Sequence, residues 1–102
     1  DHSTMTTLVP MTCVMGHFYA TQRAYHQWLV SKGVAADKAT VLVAQMFRTF
    51  NHASLMSNSG FDALVAEQTP GGVNESVIAA LEGQGHYDAL KKELDRVLSV
   101  FQ

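Results

Sequence analysis

The apolar residues between Leu8 and Ser31 recur at helical spacing around most of the circumference of one predicted helix. One face carries mainly leucine, methionine and aromatic residues, and further apolar residues lie elsewhere on the cylinder: Leu8, Met11, Met15, Phe18, Gln22, Tyr25 and Leu29, then Val9, Val14, Ala20, Ala24 and Trp28. A helix that is apolar on most sides is buried on most sides. Because a chain of 102 residues can cover little of such a helix by itself, the pattern predicts a partner chain.

Glycine and proline divide the rest of the chain into further predicted helices. Thr7 would cap the first helix, Pro10 would fall in its first turn and Gly33 would end it. The remaining helices are expected at 36–56, 61–67, 75–82 and 87–100, with loops at 57–60 and 69–72. Asn74 is the predicted N-cap of the fourth helix. Since no hairpin dipeptide joins alternating segments, residues 1–102 are predicted to form a single all-α domain of about five helices.

Composition argues against several classes of partner. Cys13 is the only cysteine and the histidines lack zinc-type spacing, so neither an internal disulfide nor a metal is expected. The net charge of −2 is scattered, which argues against nucleic acid. The longest apolar stretch, Leu8 to Ala20, is too short and interrupted to span a membrane, and no basic region precedes it as in a signal peptide. We therefore expect a cytoplasmic homodimer, cut from a longer polypeptide because the chain lacks an initial methionine.

Two smaller features also have simple structural interpretations. Cys13 and His17 are four residues apart and could form a nucleophile–base pair, but no orienting carboxylate accompanies them in the sequence. A buried thiol beside a hydrogen-bonded histidine is the favoured interpretation. The last helix carries the charged residues Lys91, Lys92, Glu93, Asp95 and Arg96, which predict a solvated face.

The segment from Thr69 to Asn74 reads Thr-Pro-Gly-Gly-Val-Asn and contains the main candidate site. Proline fixes φ and the two glycines permit positive φ, so the chain breaks sharply before the next helix. Backbone N–H groups around Gly72 to Glu75 would converge at a helix start, where the helix dipole favours negative charge. A substrate carboxylate could bind there. A simple loop followed by an N-cap explains the same residues, and this segment alone leaves both interpretations open.

This segment and its surroundings resemble pyrroline-5-carboxylate reductases, whose motif is Ser-Pro-Gly-Gly-Thr-Thr. In that family the motif is followed by a Leu-Glu-x-Gly-Gly run and then by an Ala-Leu pair. Leu81–Gly85 and Ala89–Leu90 follow Thr69–Asn74 at the same spacing in this chain. Upstream, the family's Gly-Leu-Pro, Ala and Ala-Ala-Gln-Thr positions resemble Gly33-Val34-Ala35, Ala39 and Val43-Ala44-Gln45. The likeness extends from about Gly33 to Val100.

The resemblance implies a C-terminal helical domain that interlocks with its twin, as in the 6-phosphogluconate dehydrogenase C-terminal-like domains. In the family a dinucleotide-binding domain precedes it and delivers hydride from NADP or NAD to the C=N bond of a cyclic imino acid, which yields proline. No Gly-x-Gly-x-x-Gly follows a predicted strand in the chain. The chain alone is therefore expected to bind no cofactor and to catalyse nothing, and no catalytic residue is assigned.

Carried over residue by residue, the resemblance implies a substrate-binding loop of Thr69, Gly71, Gly72, Val73 and Asn74. Thr69 takes the place of the family's serine and keeps the hydroxyl, while Val73 and Asn74 replace its two threonines. Asn74 could still donate to a carboxylate through its amide. The stretch Met11–His17 does not match the Ser-Gly-Ser-Gly-Pro-Ala-Tyr run that opens this domain in the family. Two alternatives therefore stay open: a diverged paralogue that reduces another substrate, and a non-enzymatic helical dimerisation module.

Overall fold

The computed structural model describes residues 2–68 and 70–102, with side chains from residue 6 onward, and every regular element in these ranges is a helix. The helices are α1 (His2–Thr12), α2 (Met15–Ser31), α3 (Ala36–Met56), α4 (Gly60–Ala66), α5 (Val73–Gly83) and α6 (His86–Val100). The all-α prediction is confirmed. The chain forms two compact units: a terminal unit (Asp1–Val14 and Ala66–Gln102) and a central unit (Met15–Val65).

The predicted single helix from Leu8 to Ser31 is wrong, because the helix is interrupted at Cys13 and Val14. Pro10 lies well inside α1 rather than in its first turn, and Thr7 lies inside α1 rather than at a cap. Proline supplies no N–H to the helical ladder. Just after it, the Cys13 N–H donates to the Pro10 carbonyl at 3.0 Å, the i→i−3 spacing of a tightened last turn. The interruption could not be predicted from the spacing of apolar residues, because apolar residues continue at helical spacing on both sides of it.

A four-residue connection joins α2 to α3 in the central unit. Gly33 has a φ of 98°, a conformation that glycine adopts without steric cost. The Gly33 N–H donates to the Val30 carbonyl at 3.0 Å and the Val34 N–H donates to the Leu29 carbonyl at 3.1 Å. These two bonds are the Schellman pattern of a helix C-terminus. The prediction that Gly33 ends this helix is confirmed.

The packing between α2 and α3 centres on the half-buried Phe47. Its ring lies 5.9 Å from that of Phe18 and 5.5 Å from that of Tyr25, both in edge-to-face geometry. Such pairs add about 0.5–1.5 kcal/mol each beyond the area they bury. Ala39 and Val43, also on α3, are 0% and 3% exposed and are the buried hydrophobic residues in the part of the chain described here. The central unit therefore has a small core.

Many apolar residues of the helices are exposed in the single chain. They include Leu8, Met11, Met15, Phe18, Tyr25, Val41, Phe50, Leu55, Phe61, Val65 and Phe101. Two independent globular units of half this mass would together expose roughly 6,800 Å². The chain exposes 8241 Å². The helical period identifies an apolar face correctly, but it does not tell whether the same chain covers that face.

In the terminal unit, α6 contacts both α1 and α5. Four of its apolar residues are half-buried: Leu90, Leu94, Val97 and Leu98. The charged residues of α6 are exposed, which confirms the predicted solvated face. Arg96 donates from Nε to the two carboxylate oxygens of Glu93 at 3.1 and 3.2 Å. This hydrogen bonding raises the pKa of Arg96 above its ordinary value.

Candidate functional site

The Pro-Gly-Gly segment lies immediately before α5 in the terminal unit. Gly71 has a φ of 76°, whereas Gly72 is extended, with a φ of −82° and a ψ of 172°. Positive φ is thus confirmed for Gly71 alone, and Gly72 has a backbone conformation that any residue adopts. Thr69, the predicted hydroxyl donor, lies outside the described residues.

The N-cap of α5 is Gly72 and not Asn74, so that prediction is wrong. The Ser76 N–H donates to the Gly72 carbonyl at 3.1 Å as the first bond of the helical ladder. Asn74 lies in the first helical turn, and its Nδ2 donates to Oε1 of Gln68 at 3.0 Å. Asparagine and glycine are both common N-caps, so composition alone did not decide where the helix begins.

A carboxylate already binds the backbone of this loop. Oε2 of Glu75 accepts the N–H of Gly71 at 3.1 Å. Glu75 is the third residue of α5, the position from which glutamate reaches back in a capping box, and here it reaches one residue beyond the N-cap. Its charge lies at the positive end of the helix dipole, which stabilises the carboxylate. This role of Glu75 was not predicted from the sequence, although the spacing from Gly72 to Glu75 matches that of a capping box.

The first turn of α5 offers further backbone donors to solvent. The N–H groups of Val73, Asn74 and Glu75 have no carbonyl partner inside the helix, because the helical ladder begins at Ser76. Val73 is 80% exposed. Of the two amide hydrogens on Asn74, one bonds Gln68 and one is left to donate elsewhere. The structure therefore brings Gly71, Gly72, Val73 and Asn74 to one exposed helix start that can accept an anion.

Other candidate residues receive less support. The predicted burial of the Cys13 thiol is wrong, because Cys13 is exposed, and His17 is exposed as well. Within the described residues no group of three or more His, Cys, Asp or Glu residues is placed to hold a metal ion. Of the helices in the described ranges, none combines the length and the apolar character needed to cross a membrane.

Comparison of the chain with models of known families, with curated proteins and with solved structures found no match. The described residues form only helices and connecting segments, and two of their features bear on function. One is a glycine turn that presents backbone donors at the start of α5, and the other is a large set of exposed apolar residues on the helices.

Proposed function

We propose that this chain is the C-terminal dimerisation and substrate-carboxylate-binding domain of an NAD(P)H-dependent imine reductase similar to pyrroline-5-carboxylate reductases. A dinucleotide-binding domain of the same polypeptide would supply NADP or NAD, and the substrate would be a small cyclic imino acid. The observation that carries the proposal is the hydrogen bond between the Gly71 N–H and the Glu75 carboxylate. It supports the idea that the loop with the family-like motif suits a carboxylate.

In this proposal the chain's own residues bind and orient the substrate. A substrate carboxylate held at the start of α5 limits the motion of the attached ring, so that its C=N bond faces the hydride donor. The ligand would replace the Glu75 carboxylate at the Gly71 N–H and would add bonds to the N–H groups of Val73 and Asn74. The internal bond is exposed, and a typical protein hydrogen bond contributes only about 0.5–1.5 kcal/mol net, so this exchange costs little.

Glu75→Gln tests the site directly, because it removes the competing charge and weakens the internal hydrogen bond. In the full-length enzyme we expect the substrate KM to fall about fivefold, corresponding to roughly 1 kcal/mol of competition. Glu82→Gln is the matched control, since it removes the same charge from the exposed last turn of α5. A KM that changes equally in both variants, or rises only in Glu75→Gln, would count against carboxylate binding at this loop.

Dimerisation is supported by exposed apolar surface on the central unit. A groove along α3 is lined by Val34, Asp37, Lys38, Val41, Leu42 and Gln45. The chain exposes roughly 1,400 Å² more than two globular units of half its mass would expose. A standard protein interface buries about 800 Å² on each partner. The excess is larger than that share, so the chain exposes ample surface for an interface with a second copy of itself.

Light scattering at micromolar concentration tests the dimer and should give twice the mass of the chain. Leu42→Asp, at a position 53% exposed on the groove, should dissociate the dimer without removing a core contact of the single chain. Phe18→Asp should both dissociate and unfold it, because Phe18 also packs against Phe47. Lys92→Asp on the charged face of α6 is the control and should remain dimeric. A stable monomer in the unsubstituted chain would contradict the proposal.

The reductase assignment is tested by cofactor binding. Calorimetry should detect no NADPH binding to the 102-residue chain, while the polypeptide extended upstream of residue 1 should bind NADPH at micromolar concentration or below. A glycine-rich strand–turn–helix sequence upstream would support the assignment. Specific NADPH binding by the chain alone would refute the role given to it.

A non-enzymatic helical dimerisation module is the second candidate. It is favoured by the pairing of Asn74, whose Nδ2 donates to Oε1 of Gln68 inside the chain rather than to a ligand. A diverged paralogue acting on another imine is favoured by the exposed Val73 in place of a family threonine. Under the first alternative Glu75→Gln changes only thermal stability, and under the second it changes KM for a different imine.

A further inference from the structure

A cleft between α2 and α3 in the central unit is lined by five residues with polar groups and one valine, although carbon atoms form most of its surface. Its volume is about 270 Å³, and its lining consists of Tyr19, Gln22, Arg23, His26, Thr40 and Val43. No carboxylate is among them. We propose that this cleft binds a small organic carboxylate through Arg23, at a site separate from the Pro-Gly-Gly loop. The proposal does not depend on the reductase assignment.

The cleft is built on one face of α2. Tyr19, Gln22, Arg23 and His26 follow the i, i+3, i+4, i+7 spacing that places residues side by side on a helix. Gln22 and His26 are half-buried, whereas Tyr19 and Arg23 are exposed at the rim. The ring of Tyr19 packs edge to face on Phe18 at 5.7 Å, which limits its motion. The donors on this face are therefore held by regular helix geometry.

Two lining residues serve as structural ties rather than ligand donors. His26 Nε2 lies 3.0 Å from the Ala36 carbonyl, and the Thr40 hydroxyl donates to the same carbonyl at 3.0 Å. Because a carbonyl only accepts, His26 must carry its hydrogen on Nε2. These bonds tie α2 to the first turn of α3 and use the hydrogens concerned. The donors left for a ligand are the Tyr19 hydroxyl, the Gln22 amide and the Arg23 guanidinium.

The charge of the cleft selects an anion. Among the described residues the ion pair is that of Arg96 with Glu93, so Arg23 has no acidic partner in this part of the chain. A guanidinium presents a planar fork that matches a carboxylate with two parallel hydrogen bonds. One cation with two neutral donors and no acid nearby favours a negatively charged ligand.

The size and the apolar surface of the cleft indicate what the uncharged part of the ligand would be. Ligand pockets are usually about 300–1,000 Å³, so this cleft suits a molecule with only a few carbon atoms. The surface of the cleft is mostly apolar, which suits a short hydrocarbon part. A short-chain carboxylate therefore fits better than inorganic phosphate, which has no apolar part.

The test is a titration of the ¹⁵N-labelled chain with sodium butyrate, followed by amide chemical shifts at ionic strength held constant with sodium chloride. Saturable shifts should be confined to α2 and α3. Arg23→Gln should weaken binding about tenfold or more through loss of a charge-assisted hydrogen bond. Arg48→Gln makes the same charge change at an exposed α3 residue outside the cleft and should stay within about twofold.

Arg23→Lys keeps the charge and removes the planar fork, so binding should weaken several-fold but less than in Arg23→Gln. Circular dichroism of each variant verifies the fold, and the exposure of Arg23 favours its retention. Three results would overturn the proposal: equal weakening by the two arginine-to-glutamine variants, tighter binding of inorganic phosphate than of butyrate, or no saturation in the millimolar range.

Discussion

Replacing Gly71 with alanine tests whether the turn before α5 depends on its left-handed backbone, and Gly72→Ala is the matched control. Gly71 has a φ of 76°, and a Cβ built there meets no atom within 4 Å. The cost therefore comes from the backbone and not from crowding. A non-glycine residue in this conformation costs about 1–2 kcal/mol. The lower entropy of the unfolded alanine chain offsets about 0.4–1 kcal/mol of that cost.

The expected loss of unfolding free energy in Gly71→Ala is thus about 1 kcal/mol. Gly72 is extended at φ −82° and ψ 172°, so Gly72→Ala has no left-handed cost, and the entropic gain of about 0.4–1 kcal/mol is offset by the poorer N-cap preference of alanine, which leaves a net change near zero. The difference between the two variants should be about 1 kcal/mol, which is the cost of the left-handed conformation less the N-cap cost of alanine at 72.

Urea denaturation followed by circular dichroism measures this difference at one fixed protein concentration, since dimerisation would make stability depend on concentration. The m-values should agree among the variants. Gly71→Asn should recover part of the loss, because asparagine tolerates the left-handed region better than alanine. If Gly72→Ala destabilised the protein as much as Gly71→Ala does, the conformational argument would be refuted.

Three further substitutions have expected outcomes in the same urea assay. Phe47→Ala should cost about 2–4 kcal/mol, because it removes two edge-to-face pairs and opens the small core of the central unit, whereas the exposed Phe101→Ala should cost well under half of that. Gly33→Ala should cost about 1 kcal/mol through its φ of 98°, and a neutral result would contradict the Schellman geometry. Asn74→Ala should cost only about 0.5 kcal/mol, because it removes one exposed side-chain bond to Gln68 and no N-cap; a loss of 1–2 kcal/mol would restore Asn74 as the cap.

The local features of the fold were predictable because they arise from short-range physics. The predicted bounds 36–56, 61–67 and 87–100 agree with α3, α4 and α6 within one residue. Gly33 was correctly predicted to end α2, because a helix C-terminus favours a residue that adopts positive φ at no steric cost. The alternation of apolar and charged residues on α6 likewise distinguished its half-buried residues from its solvated ones.

Within the candidate site, the sequence predicted the segment but not its hydrogen bonds. A helix follows the Pro-Gly-Gly turn as expected, but α5 begins at Val73, two residues before the predicted start at Glu75. Asparagine at 74 and glycine at 72 have similar N-cap preferences, so the choice between them depended on the backbone path through Gly71. The reach of Glu75 to the Gly71 N–H depends on that same path.

The sequence by itself determined which segments are helical, where glycine turns the chain and which helix faces are apolar, because each of these depends on neighbours within a few residues. The tertiary structure alone decided the grouping of Tyr19 and Arg23 with Thr40 in one cleft and the exposure of the apolar faces. These features depend on residues that are distant along the chain. The helical period of a segment shows which of its faces is apolar, but not which distant part of the structure covers that face.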